Sequence, residues 1–170
     1  MKNIRNWMLF AMILLIFDVN IGIINLLPNW LAYLILAYCG NKIWADKGGL
    51  TLLFGIVAAV LQIIFFFLPE ENVLLLWFMQ GIFFTLEMLL FYGLTTGILQ
   101  IQEKESLWIR RKILLLFYAI CIVACGMALN IRPMFIVSGI IIICARLYFL
   151  FAIWHLIPKD EKAEPEEKNT

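Results

Sequence analysis

Residues 7–43 read WMLFAMILLIFDVNIGIINLLPNWLAYLILAYCGNKI. A long apolar run carries Asp18 and Asn20 in its interior. It meets Asn25-Leu26-Leu27-Pro28-Asn29-Trp30 and turns apolar again from Leu31 to Cys39. Lys2 and Arg5 precede the stretch, and Lys42 and Lys47 follow it. A single crossing would put these basic flanks on opposite sides of a bilayer, against the bias of Lys and Arg toward the cytoplasm. The stretch is therefore expected to enter and return as a hairpin with Pro28 near its tip. Pro28 can start the second helix without wasting an amide, and Asn25 and Asn29 can satisfy the backbone ends at the tip. Trp30 and Tyr33 are expected to hold that tip at the outer interface.

Composition points the same way. Of 170 residues 64% are hydrophobic, where a soluble domain has about half. Apolar runs of about twenty residues recur, the length needed to cross roughly 30 Å of hydrocarbon. A net charge of +1, with basic residues dispersed in short clusters, argues against nucleic acid as a partner. The N-terminus resembles a signal sequence, with Lys2 and Arg5 followed by the apolar Met8 to Phe17, but Asp18-Val19-Asn20 stands where a small-residue cleavage site would follow, so an uncleaved first span is expected. Cys39, Cys121, Cys125 and Cys144 lie in or beside apolar segments. Cys121 and Cys125 share a helix face, a spacing open to a metal or a disulfide partner, but no Cys-x-x-Cys or nearby His accompanies them. All four are read as small buried hydrophobes.

Six segments follow, at about 7–26, 30–43, 50–68, 73–99, 108–129 and 134–157. The second is short enough to be re-entrant. The expected fold is an all-α polytopic membrane bundle, a single domain over 1–157, with a charged, disordered cytoplasmic tail at 158–170. With the N-terminus inside, Lys2, Arg5, Lys42, Lys47, Lys104, Arg110, Arg111, Lys112, Lys159, Lys162 and Lys168 fall on one side. Only Arg132 falls on the other, and Arg146 lies within a span. This asymmetry places both termini in the cytoplasm. Trp7, Trp30, Trp44, Trp77, Trp108 and Trp154 lie near span ends, as an aromatic belt requires. Arg110-Arg111-Lys112 is read as an electrostatic anchor to anionic headgroups, and His155 as an interfacial residue.

Three ionisable residues sit near the centres of their spans: Asp18, Glu87 and Arg146. An unpaired charge there costs from about 2.5 to well above 10 kcal/mol. The economical arrangement is a cluster in which Arg146 bridges Asp18 and Glu87, leaving one negative charge to be relieved by a proton, an ion or a ligand. Residues seven apart share a helix face. Asp18 shares one with Ala11 and Asn25, Gln62 with Gly55, Gln80 with Glu87, and Arg146 with Gly139. Small residues mark faces where membrane helices approach closely, and Gly93-x-x-x-Gly97 is a further example. Asn20, Gln62 and Gln80 join the cluster as neutral neighbours. It reads either as interhelical glue or as a proton relay or a site for a small polar ligand.

Metal, nucleophile-elbow and phosphate-loop signatures are missing, so neither a catalytic role nor a metal or other cofactor is expected. The run Asn25-Leu26-Leu27-Pro28-Asn29-Trp30-Leu31-Ala32-Tyr33-Leu34-Ile35-Leu36, followed by Gly40, resembles a stretch in a family of small multi-span membrane proteins of Gram-positive, mainly clostridial-type, bacteria. Their Leu-Pro-Asp-Phe-Ile-Gly-Tyr-like sequence follows a first span. Asn29 stands here where that family has Asp, Trp30 where it has Phe, and Ala32 where it has Gly. The resemblance implies a multi-pass protein of a bacterial cytoplasmic membrane and no particular activity. Two functions fit the residues. One is a solute- or ion-handling bundle, similar in size and span count to the substrate-binding membrane subunits of energy-coupling-factor vitamin transporters. The other is a non-catalytic accessory or assembly protein that binds another membrane protein through its polar helix faces. The partners expected are the lipid bilayer, with a small polar ligand or a second membrane protein.

Overall fold

A computed structural model describes residues 2–17, 20–21, 24–25, 29–43, 48–67, 73–101, 105–128, 131 and 133–156. Six helices carry nearly all of them: α1 (Lys2–Ile16), α2 (Asn29–Ile43), α3 (Gly48–Phe67), α4 (Val73–Ile101), α5 (Glu105–Met127) and α6 (Pro133–Leu156). The fold is all-α apart from a two-residue antiparallel ribbon, β1 (Asn20–Ile21) with β2 (Ile24–Asn25). Asn20 lies opposite Asn25 and Ile21 opposite Ile24. The expected tail at 158–170 lies outside the described residues.

Three helices contain stretches long and apolar enough to cross a membrane: Gly48–Phe65 in α3, Trp77–Gln100 in α4 and Ile136–His155 in α6. At 1.5 Å per residue, the 15 residues of α1 and of α2 reach only about 22 Å each. The opening turns of α5 carry Arg110, Arg111 and Lys112, which leaves its apolar part short.

The first helix departs from expectation. A continuous span over 7–26 was expected, but α1 ends at Ile16, and Asn20–Ile21 and Ile24–Asn25 form the ribbon instead. The sequence contains the reason. Asp and Asn side chains compete with the helical backbone for hydrogen bonds, and Asp18 and Asn20 follow directly on the helix end. Val19, Ile21, Ile23 and Ile24 are β-branched and favour extended backbone.

Consecutive helices pack on one another, α6 returns to α1, and α2 also touches α4, so the six form a closed ring. Among the core side chains, Phe91 stacks against Phe149 at 4.4 Å and meets Tyr118 at 5.6 Å. Tyr33 meets Phe83 edge-on at 5.3 Å. The outer face is as apolar as the interior, with Phe10, Ile56, Phe78, Leu116, Ile136 and Phe151 all exposed. An apolar surface of this extent belongs against lipid or protein rather than water. The polar Thr51, Glu87, Thr95 and Ser138 are buried instead.

Close approach depends on a few small residues. At Gly55 on α3 an added Cβ would meet Ala37 and lie 3.0 Å from the Tyr33 carbonyl of α2. At Gly93 on α4 it would meet Thr51 of α3. Gly139, expected to mark a close approach on α6, has nothing within 4 Å of such a Cβ. The helical face it shares with Arg146 is open at that level.

These environments predict opposite outcomes for one chemical change. Gly55→Ala forces α2 and α3 apart and destabilises by about 1–3 kcal/mol. Gly139→Ala removes a flexible residue from a helix interior where there is space, and stabilises by roughly 0.5–1 kcal/mol. Thermal unfolding in detergent ranks the two variants against the parent.

Candidate functional site

The centre of the site is an ion pair between α4 and α6. Glu87 is fully buried, and the Arg146 side chain is 13% exposed. Arg146 Nε donates to Glu87 Oε1 at 2.8 Å and Nη2 donates to Oε2 at 3.1 Å. This side-on fork matches the planar guanidinium to the planar carboxylate and is among the strongest protein hydrogen-bond geometries. In hydrocarbon the pairing is obligatory, because either charge alone would carry the full cost of leaving water.

Arg146 also reaches the first hairpin. Its Nη1 donates to the Leu15 carbonyl at 2.9 Å, and its Nη2 to the Tyr33 hydroxyl at 3.1 Å. Leu15 belongs to the last turn of α1, whose final carbonyls have no partner within the helix. The guanidinium supplies one and also complements the negative end of the helix dipole. One side chain of α6 thus ties together α1, α2 and α4.

A second arginine does the same at the other end of α1. Arg5 is 5% exposed. Its Nη2 donates to the Trp154 carbonyl at 3.2 Å, and its guanidinium lies 5.2 Å from the Trp154 ring. Trp154 is in the last turn of α6. Each of the two helices therefore holds the C-terminal carbonyls of the other, and α1 and α6 run antiparallel, with Arg5 level with Trp154 and Leu15 level with Arg146. Arg5 was read as part of the basic flank before the first span, and it is buried there because it reaches an unpaired carbonyl of α6.

Some buried polar atoms have no hydrogen-bond partner. The Tyr118 hydroxyl of α5 lies beside the Glu87 carboxylate without a hydrogen bond of ordinary geometry. Asn29 Oδ1, at the start of α2 and one turn from Tyr33, is likewise unpartnered. Asn29 was expected to satisfy backbone groups at the hairpin tip, but its acceptor is unused.

The other expected site residues are spread out. Asp18 lies outside the described residues, and Asn20 forms part of β1. Gln62 on α3 and Gln80 on α4 are half-buried, and neither takes part in the Glu87–Arg146 network. Gln80 sits two turns from Glu87, about 10 Å along the helix. Tyr33 was placed at the outer interface. It is instead fully buried against Arg146, because its ring packs on Phe83 and its hydroxyl answers the guanidinium. The available signal was its spacing of seven from Gly40, a residue packed against Thr51 and Leu94. Nothing in the sequence marked Leu15, which contributes only a carbonyl.

The cysteines point in different directions. Cys121 Sγ is 3.4 Å from the Ser138 carbonyl and Cys125 Sγ 3.8 Å from that of Trp77. Cys144 is exposed rather than buried, since its face of α6 has no neighbouring helix. Among the described residues no three His, Cys, Asp or Glu converge as metal ligands would. No family model, no curated protein and no solved structure matches the chain.

The pair's mutual satisfaction sets the outcome of a mutant cycle. Arg146→Gln and Glu87→Gln each lose about 3–5 kcal/mol, because each leaves one buried charge unanswered. The double variant is no less stable than the worse single, which thermal unfolding of all four proteins in detergent checks. Tyr118→Phe removes an unpaired buried hydroxyl and leaves stability equal or higher by about 1 kcal/mol in the same assay.

Proposed function

We propose that this chain is a non-catalytic integral protein of a bacterial cytoplasmic membrane that handles a small solute or ion at mid-bilayer depth. In this reading all six segments belong to the membrane, the second being short enough to be re-entrant, both termini are cytoplasmic, and the opening hairpin belongs with the clostridial-type family it resembles. The site comprises Glu87 and Arg146, with Asp18, Asn20, Gln62 and Gln80 around them.

The observation that carries this reading is the end of α1. The Leu15 carbonyl meets Arg146, which lies near the middle of α6, about 15 Å from its C-terminal end and 20 Å from its start. A helix that begins at one membrane face and stops at that depth exposes backbone carbonyls in the centre of the bilayer. Irregular backbone is tolerated there only where protein buries it or where it lines a polar cavity. Interrupted helices of this kind build ion and solute sites in membrane transporters. The unpartnered Asn29 Oδ1 and Tyr118 hydroxyl add two polar groups with capacity for a ligand. Asp18 is three residues beyond Leu15, so chain length alone confines it to about 11 Å from that residue.

The test is a thermal-shift screen of the detergent-solubilised protein against monovalent and divalent ions and small polar metabolites. At about one hundred times its Kd a ligand adds roughly 2.7 kcal/mol to the folded state. We expect such a shift in the parent and its loss in Asp18→Asn. A flat response across the panel overturns the reading.

The accessory-protein alternative has one observation in its favour. A groove of about 650 Å³ between α4 and α5 is lined by Trp77, Phe78, Gly81, Thr85 and Gly126 among others. A Cβ at Gly81 or Gly126 would meet nothing within 4 Å, and small residues with space above them suit the approach of another membrane helix. A stoichiometric partner retained in mild detergent favours this reading, and a ligand-responsive monomer disfavours it.

A further inference from the structure

Arg111, on α5, has the same planar group as Arg146 and a different fate. Its guanidinium lies 4.1 Å from the Trp108 ring and 5.1 Å from the Tyr92 ring of α4. Its Nη1 donates to Thr96 Oγ1 at 3.1 Å. Thr96 in turn donates to the Tyr92 carbonyl at 2.7 Å, so its remaining lone pairs face the guanidinium. Two aromatic rings and one hydroxyl therefore fix the plane and the rotation of the group. Arginine stacked in this way is less hydrated than lysine and keeps its donor fork pre-set.

The fork itself is empty. In Arg146 the Nε–Nη2 edge receives the two oxygens of Glu87. In Arg111 the same Nε is cut off from solvent and has no acceptor. Among the described residues no carboxylate pairs with Arg111 or with its neighbour Arg110. A cavity of about 20 Å³ adjoins both arginines where α4, α5 and α6 meet, with Thr95 and Ile98 of α4 and Tyr148 and Phe149 of α6 among its lining. That is room for one water-sized atom, hence for one oxygen of an anion and not for the whole anion. Trp108 and Tyr92 are exposed on the outer, apolar face of the ring, which puts the fork where the acyl region of a bilayer meets its headgroups.

We infer that Arg111, supported by Arg110, seats the phosphate of one anionic phospholipid at the crevice where α5 meets α4 and α6. One phosphate oxygen enters the small cavity at the buried Nε while a second lies on Nη2, and the acyl chains run along the exposed apolar face beside Tyr92. This is a stoichiometric site, distinct from the diffuse attraction that any basic cluster exerts on a charged membrane. Lys112 is exposed and adjacent, so it provides the control for that diffuse effect.

Native mass spectrometry of the detergent-solubilised full chain, titrated with phosphatidylglycerol and separately with phosphatidylcholine, tests the site. One phosphatidylglycerol per chain is expected to persist, with phosphatidylcholine lost readily. Arg111→Gln weakens retention by about tenfold, against the roughly fivefold that loss of one surface charge produces. Arg111→Lys is also weakened, since it keeps the charge but not the fork, while Lys112→Gln retains the lipid within about fivefold of the parent. A thermal-unfolding midpoint near that of the parent confirms that each variant is folded. Equal losses in Arg111→Gln and Lys112→Gln, or parent-like retention in Arg111→Lys, overturn the site in favour of diffuse charge. Displacement of the lipid by millimolar inorganic phosphate overturns it in favour of a soluble anion.

Discussion

A guanidinium held in a medium of low dielectric needs both its charge and its N–H groups answered by the protein. Arg146 meets that requirement with four hydrogen bonds, to Glu87 twice, to the Leu15 carbonyl and to the Tyr33 hydroxyl. The acceptors lie on three other helices, α1, α2 and α4. The need to satisfy one side chain therefore fixes the relative depth of four of the six. Apolar packing cannot do this in a bilayer, because a helix that slides along its axis exchanges one apolar neighbour for another at little cost. A two-oxygen fork tolerates no such slide.

The same reasoning extends to the backbone. Each helix end leaves carbonyls without intrahelical partners, and hydrocarbon cannot supply them. α1 and α6 answer this need reciprocally, Arg146 serving the end of α1 and Arg5 serving the end of α6. The arrangement closes the ring between the first and last helices, the one junction that no short connecting loop enforces. Elsewhere the ring closes through small residues, Gly55 against α2 and Gly93 against Thr51.

Much of this was legible in the sequence, and the illegible part shares one cause. Apolar length and the punctuation by Pro28, Pro69 and Pro133 indicate an all-helical chain, and the cost of mid-span charge brings Glu87 and Arg146 together before any coordinates exist. The end of α1 was misplaced because the apolar run resumes after Asp18 and Asn20 and a long window reads across them. Asp and Asn favour helix ends as residue types, a local backbone preference that an apolar window averages away. Tyr33 was misplaced for a related reason. Tyrosine favours the interface on average, and only the presence of a specific buried donor overrides that preference. Gln62 and Gln80 show the reverse. Their spacing from small or acidic residues on the same face is correct, yet a shared face fixes direction around a helix and not distance along it.

The interior polarity of this bundle also bears on which part of it can move. α2 to α5 are held through extended side-chain packing, which yields gradually. α1 is short, and its polar ties to the rest are concentrated at its two ends, in Arg5 and in the Leu15 carbonyl. A shift of α1 by even one residue along α6 breaks both ties and leaves Arg146 bonded to Glu87 and Tyr33 but with both Nη1 N–H groups open. Motions of that kind proceed between discrete arrangements rather than by continuous drift, because the intermediate positions leave carbonyls and donors unpaired in hydrocarbon. The clasp that closes the ring therefore holds α1 in a single register against α6.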